Sequence, residues 1–243
     1  MNSYMNFWNT IFNFFCGIWD SFYQSVIYDN RYEFILEGLF HTIIIALGAV
    51  VIGTLIGIIT ALIRNNHDLN GKMKIGNKLS KWYVDVIRGT PSILQLMIIY
   101  YVIFKSVNIN IVFVGILAFG INSGAYVSEI IRAGINSVDR GQFEAGYGLG
   151  LSYSKVMRYI ILPQAFKNIL PALGNEFITL VKETAVGAYI GIVELTKASD
   201  IIASRTYDYF FPLIIIAIIY FTITFGLTKL FSMIERRLNN VRS

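Results

Sequence analysis

Apolar positions in this chain gather into runs too long for a helix in the core of a soluble domain. From Leu39 to Ile63 the only ionisable side chain is His41. A helix of that length crosses a ~30 Å hydrocarbon layer with some tilt. Ile111 to Ser128 and Tyr209 to Thr228 carry no charge at all. Gly89 to Phe104 is shorter and reaches spanning length when its helix begins near Tyr83. Asn168 to Val193 is apolar too, although Glu176, Lys182 and Glu183 interrupt it. The pattern predicts an all-α membrane protein with five spans, near residues 33–63, 83–104, 111–131, 168–193 and 209–231.

The fourth, polar span is required by the placement of charge. Segments 64–81, 132–167 and 229–243 together hold fourteen Lys and Arg, whereas the intervening segments hold four: Arg31, Lys105, Lys197 and Arg205. Arg88 and Lys182 fall inside spans. Cytoplasmic loops are enriched in Lys and Arg, so the asymmetry predicts an N-terminus outside and a C-terminus in the cytoplasm. Only an odd number of crossings gives that pattern. The composition agrees with a membrane protein: 55% hydrophobic and 14% charged residues, with a mean hydropathy of +0.59, where soluble domains carry close to a quarter charged residues. The net charge of +5 lies in the cytoplasmic loops, which favours lipid as its neighbour and gives no nucleic-acid reading. Cys16 is the only cysteine, which excludes an internal disulfide and a cysteine zinc site.

Residues 1–30 contain no Lys or Arg and mix Phe7, Trp8, Phe12, Phe14, Phe15, Trp19, Phe22 and Tyr23 with Asn and Ser. Aromatic residues among polar ones suit the headgroup layer. This segment is expected to lie on the outer face, with a sixth crossing as the alternative. Residues 31–238 form the membrane domain. Gly53 and Gly57, and Gly120 and Gly124, are four apart and line one face of a helix, where they let backbones approach.

Between the third and fourth spans lies the cytoplasmic stretch EAGYGLGLSYSKVMRYIILP, residues 144–163. Its glycines form no phosphate loop, because no Gly-Lys-Ser/Thr follows them. No catalytic motif and no metal-ligand spacing is present either. The stretch predicts a helical hairpin: a short helix from Gln142 to Leu149, a break near Gly150–Ser152, and a second helix that Pro163 stops.

This hairpin resembles the EAA loop of ABC importer permeases: Glu-Ala-Ala, three residues, Gly, nine residues, Ile-x-Leu-Pro. Glu144, Ala145, Gly150, Ile160, Leu162 and Pro163 match in register. Gly146 stands where the pattern has a second Ala, which loosens a helix by up to ~1 kcal/mol. Asp85-Val-Ile-Arg-Gly-Thr-Pro91, Asn122-Ser-Gly-Ala-Tyr126 with Glu129-Ile-Ile-Arg132, Pro171-Ala-Leu-Gly-Asn-Glu-Phe177 and Val193-Glu-Leu-Thr196 are similar to the polar amino acid branch of that family. The resemblance covers residues 33 to 238. It implies a five-span type I permease in the bacterial cytoplasmic membrane, paired with a second permease. Two cytoplasmic ATPase subunits would bind ATP-Mg, with none on this chain, and an extracytoplasmic solute-binding protein would deliver an amino acid. The residues 144–146, 150, 160, 162 and 163 would meet the ATPase, with Glu144 in the first turn favouring the positive end of its helix.

Polar residues within spans are candidates for the solute path, because they are costly there. They are Gln95, Asn122, Ser123 and Tyr126, together with Glu176 and Glu183, which share a face of one helix. Interhelical hydrogen bonding is the competing reading for each. Glu129 with Arg132, and Asp85 with Arg88, are spaced to pair on their own helices. An autonomous secondary transporter remains the other functional class, although no inverted repeat is visible.

Overall fold

The computed structural model describes residues 12–13 and 16–240, and all of its regular elements there are helical. The predicted interfacial segment falls partly on residues outside this range. Its described part is a helix, α1 (residues 16–22), followed by a π turn Tyr23–Ile27 and a 3-10 turn Tyr28–Asn30. Phe22 meets Phe211 edge-on, with ring centroids 5.9 Å apart.

Helix α2 (Tyr32–Asn70) is 39 residues long, about 58 Å at 1.5 Å per residue. Gly71 ends it in the left-handed conformation at φ 65°, which glycine adopts without steric cost. Helix α5 (Ile111–Asn136) runs parallel to α2, and small residues mesh the two. A Cβ on Gly53 would come within 2.9 Å of Ser123, and one on Gly57 within 2.5 Å of Val127. From the other side, Gly120 faces Ile52 and Gly124 faces Ile56, at 2.7 and 2.8 Å. The glycine pairs legible in the sequence are therefore opposite halves of one contact.

The expected second span is not one straight helix. Helix α3 (Lys74–Gly89) and helix α4 (Ser92–Ile98), which continues through a π turn to Ile103, are bent by 110° at the break. Pro91 has no N–H to donate, and the residue before a proline is driven out of the helical region. Thr90 is accordingly extended, at φ −124° and ψ 149°.

Helix α6 (Arg140–Gly148) is followed by α7 (Tyr153–Val156), a π turn Met157–Ile161 and α8 (Leu162–Glu183). Pro163 does not stop the helix, contrary to the sequence expectation. The π turn, closed by Leu162 N–H to Met157 O, shifts the hydrogen-bond register just before it. The proline then occupies the first turn of α8, where a missing N–H costs little. The region expected as one span over 168–193 starts earlier, within α8, and ends as a 3-10 segment Thr184–Ile190. Helix α9 (Leu195–Thr206) and helix α10 (Phe210–Asn240) complete the fold.

Tyr32–Asp68, Ile111–Asn136 and Phe210–Leu238 are each long and apolar enough to cross a membrane, and α3 with α4 makes a fourth crossing if the pair is one broken span. Helix α8 carries Lys167, Glu176, Lys182 and Glu183. Its buried face packs on α5 and α10, with Gly174 against Phe231, a Cβ there falling 2.7 Å from the ring.

Candidate coupling hairpin and polar seam

Asp139 starts the hairpin. Its carboxylate accepts from Gly141 N–H at 2.7 Å and so serves the electropositive end of α6. Glu144 sits in the second turn, not the first, and the end-of-helix role assigned to it from sequence belongs to Asp139. Gly150, at φ +73°, makes the reversal that follows Tyr147 and Gly148. Its N–H reaches Tyr147 O at 2.9 Å, and Leu151 N–H reaches Gly146 O at 3.2 Å.

Gly146 is buried, and a Cβ there would lie 2.8 Å from Val156 and 3.0 Å from Ile160. The departure from the Ala pattern is thus a packing requirement: α6 approaches the second arm closely enough to exclude a methyl group. Ile160 lies on that second arm, in the π turn. Val156, Met157, Ile161, Ala165 and Ile169 are buried together with Ile131, Ile135 and Val138 and with Ala61 of α2. Asn168 Nδ2 donates to Ser137 Oγ at 2.7 Å, and Asn65 Nδ2 donates to Tyr153 Oη at 3.3 Å. Burial pushes the Tyr153 hydroxyl above its usual pKa, with Tyr147 adding to the shift. The hairpin is fastened to α2, α5 and α8 by a continuous apolar core. Glu144, Ala145, Tyr147, Gly148 and Leu149 form its exposed rim. Behind the rim lies a cavity of about 660 Å³ whose polar lining includes Asn65, Asp68, Arg140 and Glu144. Leu162 and Pro163 open α8 at the base of the second arm.

Above the hairpin, Glu129 joins three helices. It accepts from Arg64 of α2 and from Arg132 at 3.3 Å, and lies 3.7 Å from Arg88 of α3. Arg132 also binds Asp68 at 2.8 Å. The local Glu129–Arg132 pair expected from spacing is present as one part of this network. The expected Asp85–Arg88 pair is not, because Arg88 turns toward Glu129 and stands 5.6 Å over the Tyr126 ring. Sequence reading missed Arg64, whose link to Glu129 requires knowing that α2 and α5 are neighbours.

The six candidate path residues fall into unequal groups. Gln95 closes the break between α3 and α4: its Nε2 donates to Ile87 O at 2.8 Å and lies within reach of Thr90 O and Oγ1 at 3.1 and 2.8 Å. Those carbonyls belong to the end of α3, which has no further helix to bond them. Gln95 Oε1 in turn accepts from Asn122 Nδ2 at 2.9 Å. Next along α5, buried Ser123 donates to Glu176 of α8 at 2.7 Å. The structure therefore joins Gln95, Asn122, Ser123 and Glu176 into one seam across α4, α5 and α8. Tyr126 lies one turn below, exposed beside Arg88. Glu183 stands two turns from Glu176 on the same helix, outside these hydrogen bonds.

At the opposite end, Glu194 is fully buried and caps α9 by accepting from Thr196 and Lys197 N–H at 2.8 and 2.7 Å. Tyr220 Oη donates to it at 3.0 Å. His41 Nδ1 meets Val193 O at 2.7 Å. Glutamate is not among the preferred N-cap residues and the tyrosine partner comes from the distant α10, so no local signal marks this cap. On the surface of α9, a hydrogen bond from Lys197 at 2.7 Å holds the Asp200 carboxyl below its usual pKa.

Residues 53–240 match the family described as binding-protein-dependent transport system inner membrane component. The arginine transport system permease protein ArtQ of Bacillus subtilis is 41% identical over 209 residues, covering 85% of this chain and 93% of that protein. The L-cystine transport system permease protein TcyB of the same organism is 37% identical over 224 residues, 91% of each chain. The crystal structure of an amino acid ABC transporter with histidines superposes with a TM-score of 0.78 at 47% identity, covering 84% of this chain and 94% of that one. An inward-facing MetNI methionine ABC transporter shares the fold, with a TM-score of 0.72 at 17% identity. The chain belongs to the binding-protein-dependent transport system inner membrane components, as the all-α permease of such a system and not as its ATPase.

Proposed function

We propose that this chain is the permease of an ATP-driven importer of a polar amino acid. A second permease completes the translocation path, an ATPase pair holding ATP-Mg docks on the cytoplasmic hairpin, and an extracytoplasmic binding protein delivers the solute. The reading rests above all on the hairpin: its exposed rim of Glu144, Ala145, Tyr147, Gly148 and Leu149 is continuous, through the Gly146 contact and the buried core, with α2, α5 and α8. A rigid-body push on the rim then reaches the spans without being lost in a flexible loop, as two-state domain motions require. The seam of Gln95, Asn122, Ser123 and Glu176 lies beside the break at Thr90–Pro91, and its polar groups suit a zwitterion's carboxylate and ammonium. Tyr126 and Glu183 extend it toward either end. The names of the relatives make arginine, cystine and histidine the first solutes to try.

The direct test is uptake by proteoliposomes holding the permease with its ATPase and binding protein. Labelled amino acid is expected to accumulate only when ATP and the binding protein are both supplied. Accumulation without ATP would return the chain to the secondary transporters.

Topology offers a second expected result. In a Cys16→Ser background on intact cells, Tyr207→Cys should react with an impermeant maleimide and Leu149→Cys should not. Tyr207 is 95% exposed in the linker between α9 and α10, and Leu149 is 78% exposed on the rim, so accessibility does not limit either. The reverse labelling pattern would invert the orientation.

A further inference from the structure

Helix α3 has three distinct faces. At 3.6 residues per turn, Gly76, Ser80, Tyr83, Val84 and Ile87 fall on one side, and this side is packed. A Cβ on Gly76 would lie 3.1 Å from Ile63 of α2, and Tyr83 Oη donates to Ile121 O of α5. A second stripe, Ile75, Leu79, Trp82 and Val86, is apolar but uncovered: the first three are 79%, 63% and 67% exposed. A third stripe holds Lys74, Lys78 and Lys81, all exposed, with Asp85 one turn further on. The apolar and cationic stripes are adjacent, roughly a quarter turn apart.

We propose that this outer surface of α3 is a binding site for anionic phospholipid, with the apolar stripe among the acyl chains and the three ammonium groups on headgroup phosphates. A helix that sets a cationic face beside an exposed aromatic and aliphatic one matches the boundary between headgroups and acyl chains. A protein covering the same surface would have to bury three lysines together, and interface cores are depleted in lysine. The site has a consequence for the fold. Helix α3 runs directly into the Thr90–Pro91 break, and Gln95 bonds its last carbonyls. Lipid held on α3 therefore restrains the element that sets the angle of α4. The proposal uses the membrane placement above and is independent of the solute carried.

Trp82 reports on the site. The chain has 3 tryptophans, so Trp8→Phe with Trp19→Phe leaves only that one. The full-length chain is placed in bilayers containing brominated phosphatidylcholine or brominated phosphatidylglycerol, and emission quenching is compared at equal bromolipid fractions. Quenching by both is expected, with an apparent affinity for phosphatidylglycerol at least about threefold higher. In the Lys74→Gln, Lys78→Gln, Lys81→Gln variant that ratio should fall to near one while quenching by phosphatidylcholine persists. Absence of quenching by either lipid would mean that protein covers the face, and would overturn the proposal. So would equal quenching by the two lipids in the parent chain, or a preference that survives loss of the three lysines. None of these readings depends on transport.

Discussion

Gly57→Leu is expected to weaken the packing of α2 on α5. Even a methyl group at position 57 would meet Val127 Cγ1 at 2.5 Å and Ser128 N at 3.1 Å. Val127 is β-branched and fully buried, so it has little rotamer freedom with which to yield. Placing a larger side chain there costs about 3 kcal/mol, because the helices must separate along a contact also maintained by Gly53, Gly120 and Gly124. In detergent, the thermal midpoint of the monodisperse peak should fall by on the order of 10 °C. The milder Gly57→Ala should lose less, and Val127→Ala in the same chain should restore part of the loss by removing the methyl group that collides. A Gly57→Leu protein as stable as the parent would show that α2 and α5 do not meet at this closeness.

Glu144→Lys is expected to reduce ATP-dependent uptake by more than tenfold while leaving insertion and monodispersity unchanged. Glu144 lies on the exposed rim of α6, outside every candidate span, so bilayer packing has little reason to sense the change. At the surface where the ATPase is proposed to dock, a long cation replaces a carboxylate beside small residues that allow close approach. An unpaired charge left in such a contact costs on the order of 2–5 kcal/mol. Uptake is measured in vesicles of the whole complex, with assembly followed by size-exclusion chromatography. Near-normal uptake in an assembled complex would remove Glu144 from coupling, and lost insertion would make it structural.

The parts of this fold that were legible in the sequence are those written in local spacing. The glycine pairs predict close helix contacts, and both lie in the same α2–α5 contact, Gly53 and Gly57 against Ser123 and Val127, Gly120 and Gly124 against Ile52 and Ile56. The hairpin turn at Gly150 follows from a residue suited to positive φ. Pro91 was equally visible, but it lay inside an uncharged run, and hydropathy concealed the break that it forces. Pro163 reads as a stop because a proline removes a hydrogen bond from a helix interior; the π turn before it shifts the register so that it falls in the first turn of α8, and nothing local announces such a turn. The polar seam was legible as a set of residues and not as an arrangement. That Gln95 bonds the end of α3 while Ser123 reaches Glu176 depends on which helices are neighbours. The same holds for Arg64 and Arg88 at Glu129, where distant residues displaced the local partner expected for Arg88.

In the proposed transporter the rim of α6 meets the ATPase. A photo-crosslinking amino acid placed at Tyr147, which is 43% exposed on that rim, tests it without knowledge of the partner's surface. In cells expressing the whole transporter, illumination should yield an adduct of this chain with the ATPase subunit. The same probe at Tyr207, 95% exposed at the far end of the molecule, should yield none with that subunit. An ATPase adduct from Tyr207, or none from Tyr147 while the complex is assembled, would contradict the account.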